Sequence, residues 1–222
     1  MSAIIITGAG SGLGRELALQ YSNDYDRVIL IGRTIESLER TKKDLETLQK
    51  SAYIYTLDIT DYSAVMEAAK TLNEKFQINY LINNAGYGSF GPLHTLSESD
   101  IHKMIDTNVK GTIFMTKAFS PYLEQQPSAS ILNIISTAGL RGKVNESVYV
   151  ASKFAVRGFT ESLQKEWKGT TIQIKAAYMG GMDTPFWDES DHIKDKNRLR
   201  SPKAVAEKIK QLDDGRNEII IE

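Results

Sequence analysis

Short β-branched runs alternate with long amphipathic stretches along the whole chain. The runs are AIIIT from Ala3, RVILI from Arg27, AYIYTL from Ala52, NYLIN from Asn79, SILNII from Ser130, TIQIKAAY from Thr171 and EIIIE from Glu218. Several are apolar at consecutive positions, the pattern of strands whose two faces are both covered by helices in a parallel sheet. Between them, apolar residues recur at helical spacing near 12–22, 35–50, 61–76, 98–126, 147–168 and 202–213. The alternation predicts an α/β fold, a doubly wound parallel sheet of about seven strands with helices on both faces. Such sheets bind ligands at the carboxyl ends of their strands, near the switch in strand order, so functional residues belong in the turns that follow the strands.

Length and composition narrow the setting. The 222 residues fit one α/β domain with a sizeable core, with residues 183–200 as a short lid over its site. A formal charge of −1 gives no electrostatic reason to expect nucleic acid or an acidic membrane as partner. The absence of cysteine excludes disulfides and thiolate metal sites. The start lacks the basic and long apolar regions of a secretory signal, and no apolar run is long enough to span a bilayer, so a cytoplasmic location is expected. The longest irregular polar stretch runs from Asp188 to Arg200. His192 has Asp188 and Asp191 near it, but His94 and His102 lie far off in sequence, and no metal site is expected.

Directly after the first strand comes TGAGSGLG, Thr7 to Gly14, running into the helical RELALQY. Glycines there let the backbone approach a pyrophosphate, whose charge then lies at the positive end of the helix. The second strand ends in LIGRT. An acid at this point bonds a ribose 2′-hydroxyl, whereas here Gly32 leaves no acid and Arg33 offers a guanidinium that suits a 2′-phosphate. A solvated loop cation is the other role open to Arg33. Asp58, after the third strand, suits either a cap on the following segment or a contact to adenine.

Further along stand NNAG at Asn83 to Gly86, DTNVKG around Asn108, a serine at Ser136 and YVASK from Tyr149 to Lys153. Tyr149 and Lys153, four residues apart, project from one face of a helix. A phenol titrates near pH 10 unperturbed, and a neighbouring ammonium favours the phenolate, bringing the group nearer the working pH of an acid/base. Asn108 lies on an apolar stripe formed by Ile101, Ile105, Thr112 and Met115, so its amide needs partners. An ordinary core amide satisfies that need as well as a functional one. Ser136, at a strand end, is placed either to cap a turn or to bond a substrate oxygen.

With these motifs in this order, the sequence resembles the short-chain dehydrogenase/reductase family from Thr7 to about Val205. The resemblance implies a Rossmann-type sheet, a nicotinamide cofactor, and hydride transfer between it and a small carbonyl or alcohol substrate. With Arg33 it points to NADP(H) in preference to NAD(H). Asn108, Ser136, Tyr149 and Lys153 match the catalytic set, with Tyr149 as general acid/base and Asn108 as a link in a water-mediated proton relay to Lys153. Cofactor contacts are implied for Gly8, Ser11, Gly12, Leu13, Gly14, Arg33, Asp58, Ile59, Asn84, Ala85, Gly86, Tyr149, Lys153 and Thr184. Substrate contacts are implied for Ser136, Tyr149, Phe186 and Trp187. Asn83 is placed to tie strands together. A non-catalytic NADPH-binding sensor and an epimerase on the same fold are the competing readings.

Two departures stand out. Met179 occupies a position where the family usually has proline, which is expected to loosen the following loop. The chain also stops at its seventh strand. Phe186 and Trp187 of the lid, with Tyr87, Phe90, Leu140 and Val144 on other loops, suggest either an apolar pocket or packing at the domain's edge. For assembly, Val148, Ala151, Ala155, Phe159 and Leu163 form a stripe expected to face the sheet, leaving Val150 and Phe154 outside it. Phe114, Phe119, Tyr122 and Leu123 supply a second face on the helix from 98. A homodimer through these two helices is expected, with a tetramer possible but disfavoured by the short end.

Overall fold

The computed structural model describes residues 2–188, 190, 192, 193 and 195–221. Its strands are β1 (Ser2–Thr7), β2 (Arg27–Gly32), β3 (Ala52–Thr56), β4 (Gln77–Asn83), β5 (Ala129–Ile134), β6 (Ile172–Met179) and β7 (Glu218–Ile221). They form one parallel seven-stranded sheet in the order β3-β2-β1-β4-β5-β6-β7. Every β-branched run read from the sequence is a strand, and the order reverses between β1 and β4.

The consecutive apolar residues follow from burial on both sides. Ile4 and Ile6 of β1 lie in one core with Val28, Leu30, Ile82 and Leu132. Ala3 and Ile5 point the other way, into a core with Ile29, Ile31, Leu81 and Ile131. The first core is covered by α1 (Gly12–Tyr21), α2 (Ile35–Thr47) and α7 (Pro202–Leu212). The second is covered by α3 (Tyr62–Lys75), α5 (Thr112–Leu123) and α6 (Ser147–Glu166). Local chemistry sets several starts. Asp61 caps α3 by accepting from the Ala64 amide, and Ser201 caps α7 ahead of Pro202. Ser97 and Asp100 form a reciprocal capping box at α4 (Glu98–Ile105).

The stretch read as one helix over 98–126 is α4 and α5 joined by a π-helical turn, Asp106–Gly111. The wider turn shifts the helical phase, so the face that enters the core runs through Met104, Asn108, Thr112 and Met115. Ile101 is exposed and Ile105 only half-buried, contrary to the stripe read from the sequence. Phe119 and Leu123 are core residues, so the second face on this helix reduces to Phe114 and Tyr122, both half-buried.

The reading of α6 is also corrected. Its sheet-facing side is Tyr149, Ser152, Lys153, Val156, Thr160 and Leu163, whereas Ala151 and Ala155 are exposed with Phe154. Polar residues occupy the buried side because Thr160 and Ser152 find partners there. Asn83 donates to Asn133 across β4 and β5 (2.9 Å), and Asn133 donates to Thr160 (2.9 Å). Ser152 donates to the Tyr149 carbonyl (2.7 Å). A hydrophobicity pattern cannot see polar residues satisfied in this way.

Candidate active site

The carboxyl ends of β1, β4 and β5 meet where the strand order reverses. Thr7, the last residue of β1, accepts at its hydroxyl from the amides of Asn84 (2.9 Å) and Ala85 (3.0 Å). The Asn84 side chain returns a bond to the Thr7 carbonyl (2.9 Å). This clamp holds NNAG against the glycine loop. Gly12 opens α1 with φ +51°, a conformation L side chains rarely adopt. A Cβ on Gly14 would collide with the Gly8 carbonyl and the Asn84 amide. Ser11 stands at the N-cap without a side-chain cap bond, and no acid lies in the first turn. The helix's first amide donors therefore face the cleft without a carboxylate to compete for an anion.

A cleft of about 470 Å³ runs from Gly32, Arg33, Asp58 and Ile59, past the glycine loop, to Ser136, Tyr149, Lys153 and Thr184. It brings together the residues assigned to cofactor and substrate, with Asn108 just behind. Arg33 is exposed at one end and forms no ion pair among the described residues. Asp58 accepts from the amide and hydroxyl of Thr60 (2.9 and 2.8 Å), which makes it a local cap while it also lines the cleft. Thr184 packs its methyl group toward Gly12 and donates to the Met182 carbonyl (3.4 Å). Met179 is buried and paired in register with Ile221 of β7. Met179, unlike a proline, has an amide to offer at this last paired position of β6.

At the other end, Lys153 donates to the Ile134 carbonyl (3.2 Å), and its ammonium lies 5.6 Å from the centre of the Tyr149 ring. Ser136 accepts from the Ala138 amide (3.1 Å), which makes it a turn cap as well as a cleft residue. Its φ of +127° is unusual for any residue but glycine, a strain of about 1–3 kcal/mol. Flanking bonds hold it there, from Ile135 to the Ala177 carbonyl (2.8 Å) and from Gly139 to the Ser136 carbonyl (2.9 Å). The Asn108 side chain closes a two-way bond with the backbone of Tyr87, accepting at 2.8 Å and donating at 2.9 Å, and donates to Ser152 (2.9 Å). That is a satisfied core amide pinning the NNAG loop to the π turn.

Electrostatics depart from the sequence reading. Burial pushes the Tyr149 phenol well above its ordinary value, against the lowering effect of a Ser136 hydrogen bond, and the Glu146 carboxylate adds to the rise. Burial also lowers Lys153 to about 8. The expected net lowering of the phenol by the ammonium is overturned in the protein alone, because removal from water disfavours both charged forms.

Phe90 lies 5.4 Å from Tyr149, 5.9 Å from Phe186 and 4.9 Å from Trp187, ring centre to centre. The aromatic residues thus gather beside the tyrosine. Leu140 and Val144 are exposed, Val144 at 83%, so they do not join this wall. His192 stacks on Phe90 and bonds Glu146 (3.1 Å), while Asp191 lies outside the described residues. Sequence reasoning missed Glu146 and Lys143, both of which line the cleft. In VNESVY an acid three residues before the tyrosine reads as an ordinary surface charge, and only the fold buries it.

The chain matches the family model for short chain dehydrogenases over residues 2–195. It is 33% identical over 196 residues to the sepiapterin reductase of Chlorobaculum tepidum, covering 85% of this chain and 80% of that protein. Among solved structures it is similar to an alcohol dehydrogenase of the archaeon Thermococcus sibiricus bound to 5-hydroxy-NADP, with 27% identity, TM-score 0.90, and 100% and 96% of the two chains covered. A short chain dehydrogenase/reductase of Burkholderia phymatum bound to NAD gives 25% identity and TM-score 0.90 over 99% and 88%. The family match over most of the chain and the identity to the Chlorobaculum tepidum reductase show that the chain belongs to the short-chain dehydrogenase family.

Proposed function

We propose that this chain is an NADPH-dependent oxidoreductase, a carbonyl reductase or alcohol dehydrogenase, with Tyr149 as general acid/base. The observation that carries the reading is one cleft with an anion-binding helix terminus and Arg33 at one end and Tyr149, Ser136 and Lys153 at the other. Gly8, Ser11, Gly12, Leu13 and Gly14 would hold the pyrophosphate, Arg33 the 2′-phosphate, Asp58 and Ile59 the adenine, and Asn84, Ala85, Gly86 and Thr184 the nicotinamide end. The nicotinamide, when bound, supplies or accepts the hydride. Tyr149 gives its phenolic proton to the carbonyl oxygen, Ser136 bonds that oxygen as charge develops, and Lys153 stabilises the phenolate left behind. Asn108 positions the loop that carries Gly86 and Tyr87.

NADPH oxidation against a panel of aldehydes, ketones, diketones and quinones tests the reading. Saturable turnover of at least one class is expected; tight NADPH binding without turnover across the panel would favour the sensor. For cofactor choice, NADPH is expected to bind about tenfold more tightly than NADH, or about 1.4 kcal/mol. Titration of nicotinamide fluorescence checks this, and equal affinities would remove Arg33 from the site.

We also propose a homodimer through α6 and the α4–α5 helix. Exposure of Ala151, Phe154 and Ala155 supports it, since α6 already buries its other side against the sheet. Phe154→Glu is expected to weaken the dimer by placing an unpaired charge in the contact. A light-scattering mass of one chain for the wild-type protein, at tens of micromolar, would contradict it.

A further inference from the structure

Resting on the oxidoreductase reading, we propose that the substrate is a neutral aromatic carbonyl compound held against Phe186 and Trp187, and that Glu146 is a positioning residue that fixes this wall through His192.

The rings around Tyr149 present both faces and edges. Phe90, Trp187 and His192 lie in nearly parallel planes, with interplanar angles of 26° for Phe90 and Trp187 and 17° for Phe90 and His192. Phe186 meets Trp187 edge-on at 84°, and its centre lies 5.9 Å from that of Tyr149. Aromatic rings favour offset-stacked and edge-to-face neighbours, and Phe186 and Trp187 of this cluster line the end of the cleft where a carbonyl must reach Tyr149 and Ser136. A planar guest recovers ring contacts that a puckered or branched one of the same size does not.

The carboxylate beside this wall is buried and paired. Glu146 is buried at 8% exposure, with one oxygen 3.1 Å from His192 Nε2 and the other 3.9 Å from the Lys143 ammonium. The Lys143 charge is thus offset by Glu146, whose buried carboxylate repels a substrate carboxylate or phosphate at the wall. Glu146 also has a mechanical part. Among the described residues of 184–199, its bond to His192 is the polar tie to α6, since the other bonds of that stretch stay within 182–200. His192 so held stacks on Phe90, and Phe90 on Trp187, giving a connected path from the carboxylate to the wall.

Benzaldehyde and cyclohexanecarbaldehyde test this, being alike in size but differing in planarity, the conjugated aldehyde being intrinsically the less electrophilic so that a preference for it reports recognition, with phenylglyoxylate as the charged arm. Wild-type protein is expected to reduce benzaldehyde with kcat/KM about tenfold above cyclohexanecarbaldehyde, and above phenylglyoxylate. Trp187→Leu should draw the benzaldehyde to cyclohexanecarbaldehyde ratio toward one. Glu146→Gln should raise KM for benzaldehyde more than it lowers kcat, a split that general loss of structure would not give, with melting temperature recorded for both variants. A ratio near one or below in the wild type, a ratio unmoved by Trp187→Leu, or an unmoved KM in Glu146→Gln overturns the inference. Turnover of both aldehydes without preference leaves the oxidoreductase reading intact, whereas absence of turnover with every carbonyl overturns both.

Discussion

Tyr149→Phe is expected to lower kcat for carbonyl reduction by about 10²–10⁴-fold while NADPH still binds. The replacement keeps the ring that packs 5.4 Å from Phe90 and 5.9 Å from Phe186, and removes the hydroxyl proposed to deliver the proton. Burial and the nearby Glu146 carboxylate raise this phenol, so in the protein alone it is held protonated, the form a reductase needs at the start of turnover. Charge developing on the substrate oxygen, together with Lys153 close by, must then make the proton easier to release. Loss of kcat with retained NADPH binding separates a missing proton donor from a collapsed site. Lys153→Ala is expected to weaken both, since its ammonium lies beside Gly86, on the wall of the cleft proposed to hold the cofactor. Near-normal kcat in Tyr149→Phe on a good substrate would remove the tyrosine from the chemistry.

Asp213→Ala, outside the residues that line the cleft, is expected to destabilise the fold by about 3–5 kcal/mol. Asp213 follows α7, and its side chain is 4% exposed. It meets the Lys175 ammonium of β6 at 2.6 Å and accepts from the hydroxyls of Tyr21 (2.6 Å) and Tyr80 (2.7 Å). One carboxylate thus joins α1, β4, β6 and the turn into β7. Burial alone would raise its pKa, but the bonds from Lys175 and the two tyrosines outweigh it, and the group sits below its ordinary value. A carboxyl lowered on folding contributes stability above its unfolded pKa and loses it as pH falls through the folded one. The contribution is therefore present at neutral pH and disappears in acid. Removing the side chain strands a buried ammonium and two phenols. Pairing Asp213→Asn with Lys175→Met should recover much of the loss, because no charge is then left unpaired. Urea unfolding of both variants checks this, and a loss under 1 kcal/mol in Asp213→Ala would show that the cluster is idle.

Much of this molecule is legible in its sequence. Strands covered on both faces must be apolar at successive positions, so Ile4, Ile5 and Ile6 announce a buried parallel strand without any partner known. The glycine turn and Tyr149 with Lys153 are local spacings, and local spacing survives folding intact. What the pattern could not show are features set by distant partners. The buried side of α6 is partly polar because Asn133 and the Tyr149 carbonyl await Thr160 and Ser152. The π turn at Asn108 shifts the helical phase while the Asn108 side chain bonds the Tyr87 backbone, and neither leaves a mark in the apolar periodicity. Lys175 and Asp213 stand 38 residues apart and look like two surface charges until β6 and α7 bring them together. Glu146 is hidden for the same reason, since its partner His192 stands 46 residues further along the chain.

The most direct test of the central claim uses NADPH deuterated at the transferable position of its nicotinamide, with a carbonyl compound that the protein turns over. The account predicts an alcohol that carries the label on its former carbonyl carbon, formed by wild-type protein and sharply reduced in Tyr149→Phe. Saturable NADPH binding with no label in any product, across the whole carbonyl panel, would contradict it.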